Sequence, residues 1–149
     1  MLATTEIVSE FLKQYGWEYE TDEEEFLVTG FRGETGTFRI FIQVDDAWVI
    51  LAIVPFTPAP VSGCRDRLCR FLLRLNYEIN LAKVGVDDEG DVVLLVEMRS
   101  EGLCFEDFAG ALDALSFYAD EYYLPLANLA TDPDYEPPHD FDVWSDETQ

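Results

Sequence analysis

A chain of 149 residues, of which 48% are hydrophobic, is long enough to form one domain around a sizeable core. Its 31 acidic residues outnumber 9 basic ones, and the formal charge of −22 repels nucleic acid and anionic lipid, so we predict neither as a partner. No apolar run is long enough to span a membrane, and residues 1–15 lack the basic start of a signal peptide, which together favour a cytoplasmic protein.

The first third of the chain predicts one helix followed by three strands. The apolar periodicity of residues 4–15 predicts an amphipathic helix that ends at Gly16. Alternating or continuous apolar runs, separated by acidic or glycine-containing turns, predict strands at residues 25–31, 37–44 and 47–54. In the middle strand alternate residues are apolar, and Phe41 interrupts the polar side.

The middle of the chain predicts a crossover, a helix and a hairpin. Three prolines within residues 55–60 argue against any regular element there. A helix at 65–79 follows, with Ser62 as a candidate N-cap. Two β-branched runs at 83–87 and 91–97, joined by an Asp-Asp-Glu-Gly turn, then predict a β-hairpin.

A third helix is predicted for residues 105–124, with Pro125 ending or kinking it. Its apolar residues follow a heptad seam that is too short for a free coiled coil and is expected to pack on the sheet: Phe108, Leu112, Leu115, Ala119, Tyr122 and Leu126. The element order is therefore αβββαββα, an α+β fold with a five-stranded antiparallel sheet.

Two of the predicted strands are apolar on both faces. These are residues 47–54, with the sequence AWVILAIV, and residues 92–96, with the sequence VVLLV. Such strands are typically covered on both sides, whereas helices on only one face would leave apolar surface in water. We therefore expect a cover for the second face, which could be another sheet region, the C-terminal segment or a second protein chain.

The composition changes at residue 131. Residues 131–149 contain seven carboxylates, three prolines and no Lys or Arg, which predicts a disordered acidic tail after a single domain at 1–130. Within the tail, Phe141 and Trp144 alternate with acidic residues. This pattern is typical either of simple disorder or of a short motif that docks on a partner or on the open side of the sheet.

Arg67, Arg70 and Arg74 form a basic stripe on the polar side of the central helix. They are candidate ligands for an acidic peptide or a phosphate group. The alternative is a solvated helix face whose arginines pair with the many surrounding carboxylates.

Phe117 is predicted to lie on the polar side of the third helix, with Leu124 one heptad further along. Two apolar residues among acidic ones are candidates for docking a basic and apolar partner segment or a second subunit. A contact inside the fold is the alternative.

The sequence contains no pattern that predicts a catalytic, cofactor or metal site. The three cysteines have neither disulfide-framework nor zinc-site spacing, and the only histidine, His139, lies in the predicted tail. The acidic turn at 87–91 departs from the EF-hand pattern, and no nucleophile or phosphate-binding motif is present. We therefore predict a protein that is not an enzyme and has no cofactor or metal.

The segment LLRLNYEINLAKVGVDDEGDVVLLVEM, residues 72–98, resembles the YbjN-like family. The matching features are the Leu-rich helix ending in Leu-Asn, a second Asn shortly after it, and the step into K-V-G-V-D-x-x-G-D-V. The resemblance implies a bacterial protein with the type III secretion chaperone-like fold, and no catalytic residue is carried over. Secretion chaperones of this fold are small, acidic and dimeric and hold extended client segments, whereas YbjN-like proteins are described as sensory or stress regulators.

These observations together predict a chaperone-like, homodimeric protein that binds a partner or client polypeptide. The alternative is a regulatory adaptor whose acidic surface docks on one defined basic protein.

Overall fold

The computed structural model describes residues 1–24 and 26–138. Three helices lie within these ranges: α1 (Thr5–Tyr15), α2 (Arg65–Glu78, preceded by a 3-10 turn at Ser62–Cys64) and α3 (Phe105–Thr131). The strands are β1 (Glu20–Thr21), β2 (Leu27–Arg32), β3 (Thr37–Val44), β4 (Trp48–Thr57), β5 (Ala82–Val86) and β6 (Val92–Arg99). The predicted α+β class and the order αβββαββα are confirmed, with β1 as an additional element.

The strands form one antiparallel sheet in the order β1-β2-β3-β4-β6-β5. It has six strands and not the five predicted, because Glu20 and Thr21 pair with Val28 and Leu27 of β2. Both residues of β1 are exposed, so they carry no hydrophobic period that the sequence could reveal.

Helix α1 ends at Gly16, as predicted, and its N-cap is Thr4. Thr4 accepts a hydrogen bond from the Ile7 backbone N–H at 3.2 Å, and Gly16 ends the helix in the left-handed conformation, with φ of 97°. At its end, the Tyr15 hydroxyl donates a 2.5 Å hydrogen bond to the Asp113 carboxylate of α3. Burial, together with this carboxylate, raises the pKa of Tyr15 to about 12.

Helix α2 is anchored to the edge strand that follows it. Asn76 accepts a hydrogen bond from the Val84 backbone N–H at 2.8 Å and donates one to the Val84 carbonyl at 3.0 Å. The expectation that Ser62 caps this helix is wrong, since Ser62 lies inside the 3-10 turn and Cys64 is the residue before α2. The turn tightens the start of the helix without a side-chain cap.

Strand β4 continues to Thr57, so the prediction that residues 55–60 contain no regular element is wrong for its first three residues. The β4–β6 register shifts between Ile53 and Thr57. Pro55 falls within this irregularity, where its missing N–H removes no regular ladder hydrogen bond.

Helix α3 also runs past its predicted end. It continues through Pro125 to Thr131, because Leu126, Leu129 and Ala130 beyond the proline are all buried in the core. The six residues of the heptad seam are buried as predicted. Tyr135, four residues beyond the helix, packs against the same core.

The helices and one face of the sheet enclose a single hydrophobic core. An aromatic series extends from the end of α1 into this core. Trp17 stacks on Phe31 with ring centroids 5.6 Å apart, Phe31 contacts Phe38 at 5.2 Å, and Phe38 meets Tyr123 of α3 edge-on at 5.5 Å. These contacts join α1, the β2–β3 hairpin and α3.

Candidate functional site

Cross-strand pairing places two neighbouring rows of residues on opposite faces of the sheet. The row on the helix side is entirely buried and consists of Leu27, Ile42, Leu51, Val96 and Ala82. The residues next to these in each strand form the row on the other face of the sheet. This second row consists of Val28, Phe41, Ala52, Leu95 and Lys83. Phe41, Ala52 and Leu95, in the middle of this second row, are half-buried and do not belong to the core.

More apolar side chains surround this second row. Ile50 and Val93 are half-buried, whereas Trp48 and Val54 are 44% and 42% exposed. We call the sheet face with Phe41, Ile50, Ala52, Val54 and Leu95 the open face. In the described part of the chain, neither a helix nor a second sheet region covers it, so residues 1–24 and 26–138 do not supply the cover that the strands with two apolar faces led us to expect.

The open face forms one side of a groove of about 660 Å³. Its floor is apolar, and the loop between β1 and β2 forms an acidic wall. The lining residues are Asp22, Glu23, Glu24, Phe26, Phe41, Gln43, Ile50, Ala52 and Val54. A concave apolar surface with a few polar groups at its rim is typical of binding sites.

Sequence reasoning missed the acidic wall. The Asp22 carboxylate accepts hydrogen bonds from the backbone N–H groups of Glu24 and Phe26, at 3.0 and 2.9 Å, and so folds the loop beside the sheet. The sequence did show the acidic residues before β2, as well as Phe41, an aromatic residue on the otherwise polar side of β3, but not that the two lie side by side.

The structure places the arginine stripe on α2, among the chain's own acceptors. Arg67 donates a hydrogen bond to the Pro133 carbonyl at 3.3 Å and lies 3.7 Å from the Glu136 carboxylate. Arg74 pairs with Glu78 at 2.8 Å and lies over the Tyr77 ring. Arg70, like the other two, is half-buried. A role for the three arginines in binding a partner stays a prediction.

Phe117 and Leu124 are exposed on α3, at 62% and 48%. Phe117 borders a shallow groove between α3 and the β2–β3 turn, and its ring contacts Tyr118 with centroids 5.6 Å apart. Leu124 does not line that groove. The two residues therefore lie on the helix layer, apart from the open face, and their role in docking also stays a prediction.

Asp120 of α3 fastens the β2–β3 turn. Its carboxylate accepts hydrogen bonds from the backbone N–H groups of Glu34 and Thr35, at 3.1 and 2.8 Å, and from the Thr35 hydroxyl at 2.7 Å. The hydrogen bonds from Thr35, backbone first, and then the one from Glu34 lower the pKa of Asp120 below its usual value. A Cβ on Gly33 would approach this carboxylate to 2.5 Å, so the turn leaves no room for a side chain there.

Phe141, Trp144 and His139 lie outside the described residues. The last described segment leaves α3 on the helix side of the sheet, where Pro133 and Glu136 contact Arg67. The division of the chain into 1–130 and 131–149 stays a prediction.

Exposed apolar side chains also occur on edge strand β5 and on the elements before it. They come from α2, β5 and their connection: Leu73, Tyr77, Leu81 and Val86. Leu81 has φ of 69°, a left-handed conformation that is unusual for a residue with a bulky side chain. Strand β5 is the edge strand here, and side-chain and backbone groups of α2 and the α2–β5 connection bind several of its backbone groups: Asn76 binds the N–H and C=O of Val84, and the Asn80 carbonyl accepts from the Ala82 N–H.

Within residues 1–24 and 26–138, no cluster of His, Cys, Asp and Glu side chains could hold a metal ion. None of the helices described there is both long and apolar enough to cross a membrane.

A family model described as "Putative bacterial sensory transduction regulator" and called YbjN matches residues 4–127. The chain belongs to the YbjN family. The match includes all the helices and strands in full, apart from α3, whose last four residues lie beyond it. No curated protein matches this family member in sequence.

Solved structures share the fold of this YbjN-family chain. YbjN from E. coli superimposes with a TM-score of 0.62 at 15% identity, over 84% of this chain and 96% of that one. A chain of the ExoU–SpcU heterodimer from the type III secretion system of Pseudomonas aeruginosa gives a TM-score of 0.56 at 19% identity, over 83% and 97%. The Yersinia pestis type III secretion chaperone SycH, in complex with a YscM2 fragment, gives 0.52 at 15% identity, over 77% and 95%. The predicted secretion chaperone-like fold is therefore confirmed.

Proposed function

We propose that this chain is a cytoplasmic, non-enzymatic domain that holds a partner or client polypeptide, as a chaperone does. The observation that carries the proposal is the apolar row Phe41, Ala52 and Leu95 on the open face. Removing such surface from water contributes roughly 25 cal/mol per Å² of buried apolar area. The YbjN family and the likeness to chains solved with protein partners support the same role.

Peptide binding tests this proposal. Short fluorescent peptides that alternate apolar and polar residues are titrated with the full chain, and fluorescence anisotropy reports binding. We expect Leu95→Ser to weaken binding because it removes apolar contact area from the open face. Val61→Ser, at an exposed apolar position in the loop before α2, is the matched control. Peptides that fail to bind, or that bind equally well to both variants, would contradict the proposal.

A regulatory adaptor that docks on one basic protein is the second candidate, and the formal charge of −22 favours it. Affinity capture from native lysate, with and without residues 139–149, distinguishes the two functions. A single stoichiometric partner that is lost on truncation supports the adaptor, whereas several clients that are retained support the chaperone-like domain.

We also propose that the protein is a homodimer. The exposed apolar edge formed by Leu73, Tyr77, Leu81 and Val86 supports self-association, because a two-fold axis would bring identical apolar edges together. Leu81, in the left-handed conformation, is 58% exposed at this edge. Light scattering tests the proposal, and a monomer at high protein concentration would contradict it.

A further inference from the structure

The groove beside the open face combines two kinds of surface. Phe26, Phe41, Ile50, Ala52 and Val54 give it an apolar floor. The loop between β1 and β2 gives it an acidic wall on one side only. A ligand that fits both surfaces has apolar groups next to positive charge.

The charges of this wall are available to a ligand. Asp22 is committed to folding the loop, since its carboxylate accepts the two backbone hydrogen bonds from Glu24 and Phe26. The side chains of Glu23 and Glu24, in contrast, are exposed, and no basic side chain in residues 1–24 or 26–138 pairs with them. Two carboxylates without a cationic partner beside an apolar floor repel acidic ligands and attract basic ones.

The net charge of the whole chain also favours a basic ligand. At −22, the protein repels nucleic acid, anionic lipid and its own acidic C-terminal residues. The chain after α3, as far as it is described, contacts Arg67 on the helix side, away from the groove. These two facts argue against residues 139–149 as the occupant.

We propose that the groove binds a polypeptide segment of a partner protein in which Lys or Arg residues flank aliphatic or aromatic ones. The apolar side chains of the segment lie on Phe41, Ile50 and Ala52, and its cations pair with Glu23 and Glu24. The inference rests on the proposed function and specifies the chemistry of the client.

Three synthetic peptides with the same apolar residues test the proposal. Their intervening polar positions are all Lys, all Gln or all Glu, and each is titrated into the full chain at low and at moderate salt. We expect the Lys peptide to bind about tenfold or more tightly than the Glu peptide, and added salt to narrow this difference.

Paired charge-neutralising variants locate the effect. Glu23→Gln combined with Glu24→Gln should weaken binding of the Lys peptide about fivefold, as expected for the loss of two exposed ion pairs. Asp88→Asn combined with Glu89→Gln, in the exposed β5–β6 turn, removes the same net charge away from the groove and should change binding less than twofold by the same reasoning.

The possible outcomes separate this inference from the proposed function. Equal binding of the Lys and Glu peptides, with an effect of Leu95→Ser, would overturn the charge preference and leave the client-holding role intact. Equal losses in the two double variants would overturn the assignment to the groove. Failure of all three peptides to bind would overturn both, and light scattering with cross-linking at position 50 would then show whether a second copy occupies the open face.

Discussion

Leu51 and Ile50 are adjacent in β4, yet they lie in different environments. Leu51 points to the helix layer and is fully buried, whereas Ile50 points to the open face and is only half-buried. The same contrast separates Ile42 from Phe41 and Val96 from Leu95. The central strands thus have apolar residues on both faces, but helices α1, α2 and α3 cover only one of these faces. The difference leaves apolar surface of the central strands open to water, and the proposed polypeptide-binding role rests on this surface.

The largest effect is expected where the covered face is disrupted. Leu51→Ala should lower the free energy of unfolding by about 2–5 kcal/mol, because it leaves a cavity in a fully buried position. Urea unfolding followed by circular dichroism measures the loss. Ile50→Ala is the matched variant on the other face and should cost less than half as much. Equal losses of unfolding free energy in the two variants would mean that both faces of the sheet are covered, and would contradict the contrast between Leu51 and Ile50.

A smaller effect is expected where the helix layer is fastened to the sheet. Asp120→Ala leaves the N–H groups of Glu34 and Thr35 and the Thr35 hydroxyl without their acceptor. Because these groups are partly open to water, we expect a loss of about 1–2 kcal/mol in the free energy of unfolding. Asp88→Ala, in an exposed turn, is the control and should be close to neutral. If Asp120→Ala leaves the free energy of unfolding unchanged, then α3 does not hold the β2–β3 turn.

The stability contributed by Asp120 should also depend on pH. Its pKa is lowered in the folded chain, so the ionised carboxylate contributes its full stability above the unfolded pKa of about 3.9, and this contribution is lost as pH falls through the folded value. The stability difference between the native chain and Asp120→Asn should therefore be constant near neutral pH and shrink in acid. Urea unfolding of both proteins across this range measures it. A stability difference that grows on acidification would contradict a lowered pKa of Asp120 in the folded chain.

The smallest change in stability is expected on the open face. Leu95→Thr introduces a β-branched residue, which suits a strand, and removes apolar area that is already partly in water, so the free energy of unfolding should fall by less than about 1 kcal/mol. The fluorescence of a hydrophobic dye such as ANS, bound to the native chain, should fall at the same time. Unchanged dye fluorescence would mean that the dye detects a different surface, such as the edge at Tyr77.

Much of this architecture could be predicted from hydrophobic periodicity. Strand β3 has its predicted bounds, because its alternating pattern matches a sheet with one buried face. The seam of α3 was likewise predictable, but its length was not. The sequence around Pro125 signals an end, whereas burial of Leu126 and Leu129 in the core offsets the hydrogen bond that the proline removes.

The candidate site was only partly predictable. Two strands that are apolar on both faces indicated surface in need of a cover. That Glu23 and Glu24 lie beside this surface depends on the loop that Asp22 folds and on the pairing of β1 with β2, and neither has a periodic signal. Those predicted partner-binding residues that the structure describes lie on α2 and α3, because sequence patterns identify the polar side of a helix but not what surrounds it.

Solvent accessibility of the Ile50 and Leu51 methyl groups is the most direct test of the account. Paramagnetic relaxation from a soluble agent, measured by NMR on the full chain, should be strong at Ile50 and weak at Leu51. Addition of the Lys peptide should reduce it at Ile50 alone. If the Ile50 methyl groups are as protected from the paramagnetic agent as those of Leu51 in the free protein, the open face is already covered and the account is contradicted.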